Sequence, residues 1–131
     1  MPHILVVDDQ NDVRTMIAMV LRVNHFEVTE AGNGAAGLEA FAAEAFDAVI
    51  VDVFLSDANG LDVIATMRER RPDLPVVAVS GMTSFDVTSQ SEELSGVQCL
   101  RKPFRPNDLL RAIELAQRSA GRSGDAERAA V

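Results

Sequence analysis

Five short runs of β-branched and apolar residues recur along the chain, at 4–7, 26–30, 48–51, 76–79 and 97–100. Each is bounded by charged or turn-forming residues, which predicts five strands. The stretches between them have helical length. Residues 12–22 place Val13, Met16, Ile17, Val20 and Leu21 on one face at a spacing of three and four, predicting a first amphipathic helix. Asn33-Gly34 opens a second over 35–44, where Leu38 and Phe41 form an apolar stripe despite Gly37. Gly60 opens a third with Leu61, Ile64 and Met67 inward, and Pro72 and Pro75 punctuate the turn that follows.

Residues 84–94 predict a weaker helix, because Thr88, Ser89 and Ser91 compete for backbone hydrogen bonds and apolar positions are sparse. The last helix starts near Pro106-Asn107-Asp108 and runs through Leu109, Ile113 and Ala116. After Gln117 the periodicity is lost. Residues 1–118 therefore read as one domain, and 119–131 as a frayed C-terminal tail or the stub of a linker.

Five strands alternating with helices imply an α/β fold: a doubly wound, five-stranded parallel sheet covered on both faces and joined by right-handed crossovers. The nearly all-apolar strands suit burial on both faces. In such sheets a ligand sits beyond the carboxyl ends of the strands, at the point where the strand order reverses.

A length of 131 residues fits one domain, and a hydrophobic content of 47% gives it a core. No apolar run is long enough to cross a bilayer, and Met1-Pro2-His3 does not open a cleavable leader, so a cytoplasmic location without membrane insertion is expected. One cysteine, Cys99, excludes an internal disulfide framework. The net charge is -8, and the last fourteen residues carry three arginines against two acids, so the remainder carries about -9. Such a surface repels nucleic acid phosphates and favours a cation or a basic protein patch.

The polar residues gather where the strands end. Asp8-Asp9 follows the first strand, Asp52 the third, Ser80-Gly81 the fourth, and Arg101-Lys102-Pro103 the fifth. In the strand order 2-1-3-4-5 the first and third strands are neighbours, and three carboxylates converge. Like charges so placed require a cation, and a hard divalent ion with oxygen ligands, Mg²⁺, is the natural one. Lys102 is the only lysine in the chain. An arginine-biased coding sequence would also deplete lysine, but a compact ammonium suits a single anionic oxygen better than a guanidinium fork does. Together the set suits phosphoryl transfer, with Asp52 as nucleophile and the metal, Lys102 and Ser80 each holding a phosphoryl oxygen.

On these motifs (Ile4 to Asp9, Asp52 with Gly60 eight residues later, Ser80-Gly81, and Lys102-Pro103-Phe104) the chain resembles the receiver domain of bacterial response regulators. The likeness covers about residues 3–118 and implies a flavodoxin-like (βα)5 three-layer sandwich. It implies that Asp52 is the phosphoacceptor of a two-component or phosphorelay system. The donor would be a sensor histidine kinase, a histidine phosphotransfer protein or a small acyl phosphate. Asp8, Asp9, Asp52 and the backbone carbonyl of Phe54 would bind Mg²⁺, Ser80 and Lys102 would contact the phosphoryl group, and the peptide before Pro103 would be cis. Such a protein is a signalling phosphoacceptor rather than an enzyme acting on a separate substrate. It would be a monomer or weak dimer, and would meet a downstream protein through the face made by residues 84–94, the fifth strand and the last helix. It would act as a stand-alone regulator, or alternatively as a receiver cut from a longer regulator or hybrid kinase.

Three departures from the family pattern matter. Ser56 replaces the usual proline four residues after the acceptor, which predicts a less rigid loop. Phe54 and Met82 bring apolar bulk to the phosphoryl entrance and would slow the water that hydrolyses the acyl phosphate. Cys99 stands where the family commonly has a Tyr or Phe that rotates on activation; it reads as a small buried hydrophobe, shifting signalling toward rearrangement of residues 84–94. Arg68, Arg70 and Arg71 read as a solvated helix end, and His3 and His25 as structural. A haloacid-dehalogenase-type Mg²⁺-dependent phosphatase shares the Asp, Ser, Lys and metal set, but Phe54 fills the place of its second Asp, the general acid.

Overall fold

The alternation of strands and helices is realised in a computed structural model that describes residues 1–81 and 96–130. Chain order is β1 (His3–Val7), α1 (Asn11–Val23), β2 (Glu27–Ala31), α2 (Gly34–Ala43), β3 (Ala48–Asp52), α3 (Gly60–Arg70), β4 (Val76–Ser80), β5 (Gln98–Arg101) and α4 (Pro106–Ala130). All strand pairs are parallel, in the order β2-β1-β3-β4-β5. The helix expected over 84–94 lies outside the described residues.

Strand periodicity divides the core in two. On one face Leu5, Val7, Val49, Val51, Val76 and Ala78 pack with Val63, Ile64 and Met67 of α3 and with partly buried Leu38 and Phe41 of α2. Alternate residues Ile4, Val6, Ala48, Ile50, Val77 and Val79 pack on the other face with Ile17 and Leu21 of α1 and with Leu109, Ile113 and Ala116 of α4. Each such Val, Leu or Ile contributes about 1.5–3 kcal/mol on burial, and the central strands β1, β3 and β4, buried almost throughout, carry most of that stabilisation in the sheet. Gly37 belongs to this packing: a Cβ there would lie 2.8 Å from a methyl of Val7, so its absence lets α2 close on β1.

Two side-chain expectations fail. Cys99 is exposed, not buried, because β5 is the edge strand and its residues alternate between half-buried and exposed. Arg68 is buried rather than solvated; its Nε donates to the Leu74 carbonyl at 2.7 Å and ties the end of α3 to the turn before β4. The helical backbone also continues past Gln117 to Ala130.

Candidate functional site

β1 and β3 are adjacent, with Val7 paired to Val51, so Asp8, which follows β1, and Asp52, which ends β3, emerge side by side. Asp8 and Asp52 are buried and Asp9 is half-buried, and ligand oxygens of the three lie within 4.8 Å of one another. Ser80 ends β4 one position beyond Val79, the register partner of Asp52, and is itself buried. β5 delivers Lys102 to the same rim, where its backbone N–H donates to the Ser80 carbonyl at 2.8 Å. The Lys102–Pro103 peptide is cis.

Both oxygens of Asp52 are engaged. Oδ1 accepts from the Phe54 backbone N–H at 2.9 Å, and Oδ2 accepts from Lys102 Nζ at 3.0 Å. Asp8 Oδ1 accepts from the Gln10 backbone N–H at 2.9 Å. Asp8 Oδ2 is different. Lys102 Nζ lies 3.2 Å away, close enough for an ion pair, but the atom is buried with no aligned hydrogen-bond donor. A buried carboxylate oxygen left in this state is costly, and a divalent cation beside it would satisfy it. With three carboxylates converging on that point, the residues present fit Mg²⁺.

Charge follows the geometry. Burial, and the neighbouring Asp52, raise the pKa of Asp8 above its usual 3.8 against the lowering effect of the Gln10 N–H and Lys102. For Lys102, burial is the largest single influence and pulls downward, yet the Asp52 and Asp8 carboxylates together outweigh it and raise its pKa above 10.5. The ammonium therefore stays charged at neutral pH and offsets part of the acidic cluster.

A cavity of about 490 Å³ opens over this cluster, lined by Asp9, Gln10, Asp52, Phe54, Gly81 and Lys102. Phe54, which is 54% exposed, is among the residues that line it. A larger hollow of about 580 Å³ lies at the opposite ends of the strands, between Phe41, Phe46, Arg70 and Arg71. Glu44 and Asp47 also line it, but the group of three converging carboxylates found among the described residues lies at the smaller cavity, and the chemistry belongs there. Met82 lies outside the described residues.

The loop after Asp52 is shaped by Gly60. A Cβ there would stand 2.1 Å from the Asp52 carbonyl oxygen and 2.6 Å from Val53 Cα, so no larger residue fits. The Gly60 N–H donates to the Val53 carbonyl at 2.7 Å, and Phe54 bridges Asn59, closing the loop on itself. Ser56 lacks the ring of a proline, yet Asp57 beside it fastens the loop: Oδ1 accepts from the Gly34 N–H at 2.8 Å and Oδ2 from the Ala35 N–H at 3.0 Å. Neither Asp57 nor Gln10, whose side chain reaches Lys102, is singled out by the sequence pattern, because each acts across a long sequence separation. Arg14 is a third such residue. Its guanidinium donates to the Asp8 carbonyl at 2.7 Å and lies 3.4 Å from Glu30, bracing the acidic loop against β2.

A family model for the response regulator receiver domain matches residues 4–114. The chain is 30% identical over 118 residues to the probable transcriptional regulatory protein TcrX of Mycobacterium tuberculosis, covering 90% of this chain and 50% of TcrX. It is 28% identical over 114 residues to the response regulator receiver protein CpdR of Brucella abortus, covering 87% of this chain and 95% of CpdR. A CheY-like receiver domain protein of Methanospirillum hungatei superposes with a TM-score of 0.84 at 24% identity, over 94% of this chain and 98% of that one, which shows the same fold. The chain thus spans about half the length of TcrX and nearly all of CpdR.

Proposed function

The chain belongs to the response regulator receiver domain family of two-component signalling, and on that premise we propose that Asp52 is its phosphoacceptor. The observation that carries this is the Asp52 carboxylate, buried and fixed by Phe54 and Lys102, at the floor of the one cavity where carboxylates and an ammonium converge among the described residues. A fixed carboxylate loses little freedom on reaching an in-line approach.

In the transfer, an Asp52 oxygen attacks the phosphorus of a phosphohistidine. The P–O bond forms as the P–N bond breaks, and the imidazole nitrogen leaves with the electron pair. Lys102 then exchanges the Asp52 oxygen for a phosphoryl oxygen, and the Ser80 hydroxyl donates to another. Asp8 and Asp9, with Asp52 and the Phe54 carbonyl, would hold Mg²⁺, which when bound neutralises phosphoryl oxygen charge and the acidic cluster together. The exposed ring of Phe54 limits the approach of the hydrolytic water.

The donor is a histidine kinase or a histidine phosphotransfer protein, and the product state alters binding of a downstream protein. The phosphatase reading lacks a second acid, since Phe54 occupies its place. Phosphotransfer profiling against candidate kinases tests the assignment. Wild type should take label and Asp52→Asn should not; equal labelling of both would refute it.

A further inference from the structure

Gln10 occupies the N-cap position of α1, where its side chain makes no capping hydrogen bond. Ser, Thr, Asp and Asn serve that position well, and glutamine does not, so capping gives no reason for its identity. The carboxamide points elsewhere. Oε1 accepts from Lys102 Nζ at 2.7 Å, across 92 residues of sequence and closer than either carboxylate partner of that ammonium.

The backbone beneath this side chain is held at both ends. The Gln10 N–H donates to Asp8 Oδ1 at 2.9 Å, and its carbonyl accepts from the Arg14 N–H at 2.9 Å. Gln10 is thus a fixed post beside the cavity. An ammonium carries three N–H donors, and in this site three side chains face it: Asp52, Asp8 and Gln10. Two are charged and belong to the acidic cluster. The third is neutral, so it holds the ammonium without adding a fourth negative charge to the three converging carboxylates.

We propose that Gln10 is a positioning residue for Lys102, keeping the ammonium in place while it exchanges an Asp52 oxygen for a phosphoryl oxygen. This rests on Asp52 as phosphoacceptor. With Gln10 in place, Lys102 changes one partner and keeps another. Without it, the ammonium must be re-oriented during the transfer, and the maximal rate falls while donor binding is unaffected.

The single lysine makes the test direct. Lysine labelled at the ε-carbon and ζ-nitrogen gives one side-chain signal, and a fixed side chain shows two inequivalent ε-protons. Gln10→Met, which keeps length and removes the acceptor on an exposed residue, should merge those two protons. With a small acyl phosphate as donor it should lower the maximal phosphorylation rate about tenfold and leave half-saturation unchanged. In a Lys102→Met background Gln10→Met should cause no further loss. An unchanged lysine signal in a chain that still takes phosphate, or an equal loss with and without Lys102, would overturn the role of Gln10 alone. A wild-type chain that takes no phosphoryl group would overturn the phosphoacceptor reading, and the role of Gln10 with it.

Discussion

The ammonium of Lys102 lies 3.0 Å from Oδ2 of Asp52, joining the residue after the edge strand β5 to the last residue of the central strand β3. Both side chains are largely withdrawn from water, so the pair is more than a surface contact. It gives the acidic rim its only cationic partner among the described ion pairs, and it must be broken or exchanged when Asp52 changes its chemistry.

The raised pKa of Lys102 sets an alkaline limit on stability. A cation with a folded pKa above its unfolded 10.5 contributes fully below 10.5, and that contribution is lost as pH rises through the folded value. The chain has no tyrosine and no other lysine, and Lys102→Arg separates the effect of Lys102 from that of Arg68, the buried cation whose pKa burial lowers. Chemical denaturation of wild type should weaken above pH 10.5, whereas Lys102→Arg should flatten the loss and still impair the response to phosphorylation.

Mg²⁺ should stabilise the folded chain. A ligand bound only by the native state adds about 2.7 kcal/mol at one hundred times its dissociation constant. Thermal unfolding should shift upward with Mg²⁺ in wild type and much less in Asp8→Asn, which removes a carboxylate oxygen that lacks an aligned donor. By itself Asp8→Asn should not destabilise the metal-free protein, because it removes a buried charge and, with it, the repulsion from Asp52.

Asp57 links the loop after the acceptor to the start of α2, and its pKa is lowered by the Gly34 and Ala35 N–H donors. A depressed carboxyl contributes stability above its unfolded 3.8 and loses it as pH falls through the lower folded value. Asp57→Ala should accelerate amide exchange at Gly34 and Ala35 first, with little change in β1. Protection unchanged at those two amides would contradict the link.

Phe54 borders the cavity over Asp52. Phe54→Asn should shorten the lifetime of the phosphorylated chain, read as loss of label after the donor is removed. Equal decay rates in the two proteins would show that the ring does not limit water.

The strands and four of the helices were legible because their apolar periods are strong, and the rim of Asp8, Asp9, Asp52, Ser80 and Lys102 followed from strand ends and one topological rule. What escaped was contact between distant segments. Gln10 reaches Lys102, Asp57 reaches Gly34, and Arg68 turns inward to Leu74; in each case a polar side chain satisfies a group whose position only the folded backbone defines. The exposure of Cys99 has a related cause: a short run with apolar positions looks alike in a central and an edge strand, but β5 has a hydrogen-bonded neighbour on one side only.

Chemical localisation of the phosphoryl group tests the central claim most directly. An aspartyl phosphate is reduced by borohydride to homoserine, which peptide mass spectrometry places in the sequence. Phosphorylated wild type should yield homoserine at position 52 alone, and Asp52→Asn none. Homoserine at Asp8 or Asp9, or label that borohydride leaves untouched, would contradict the account.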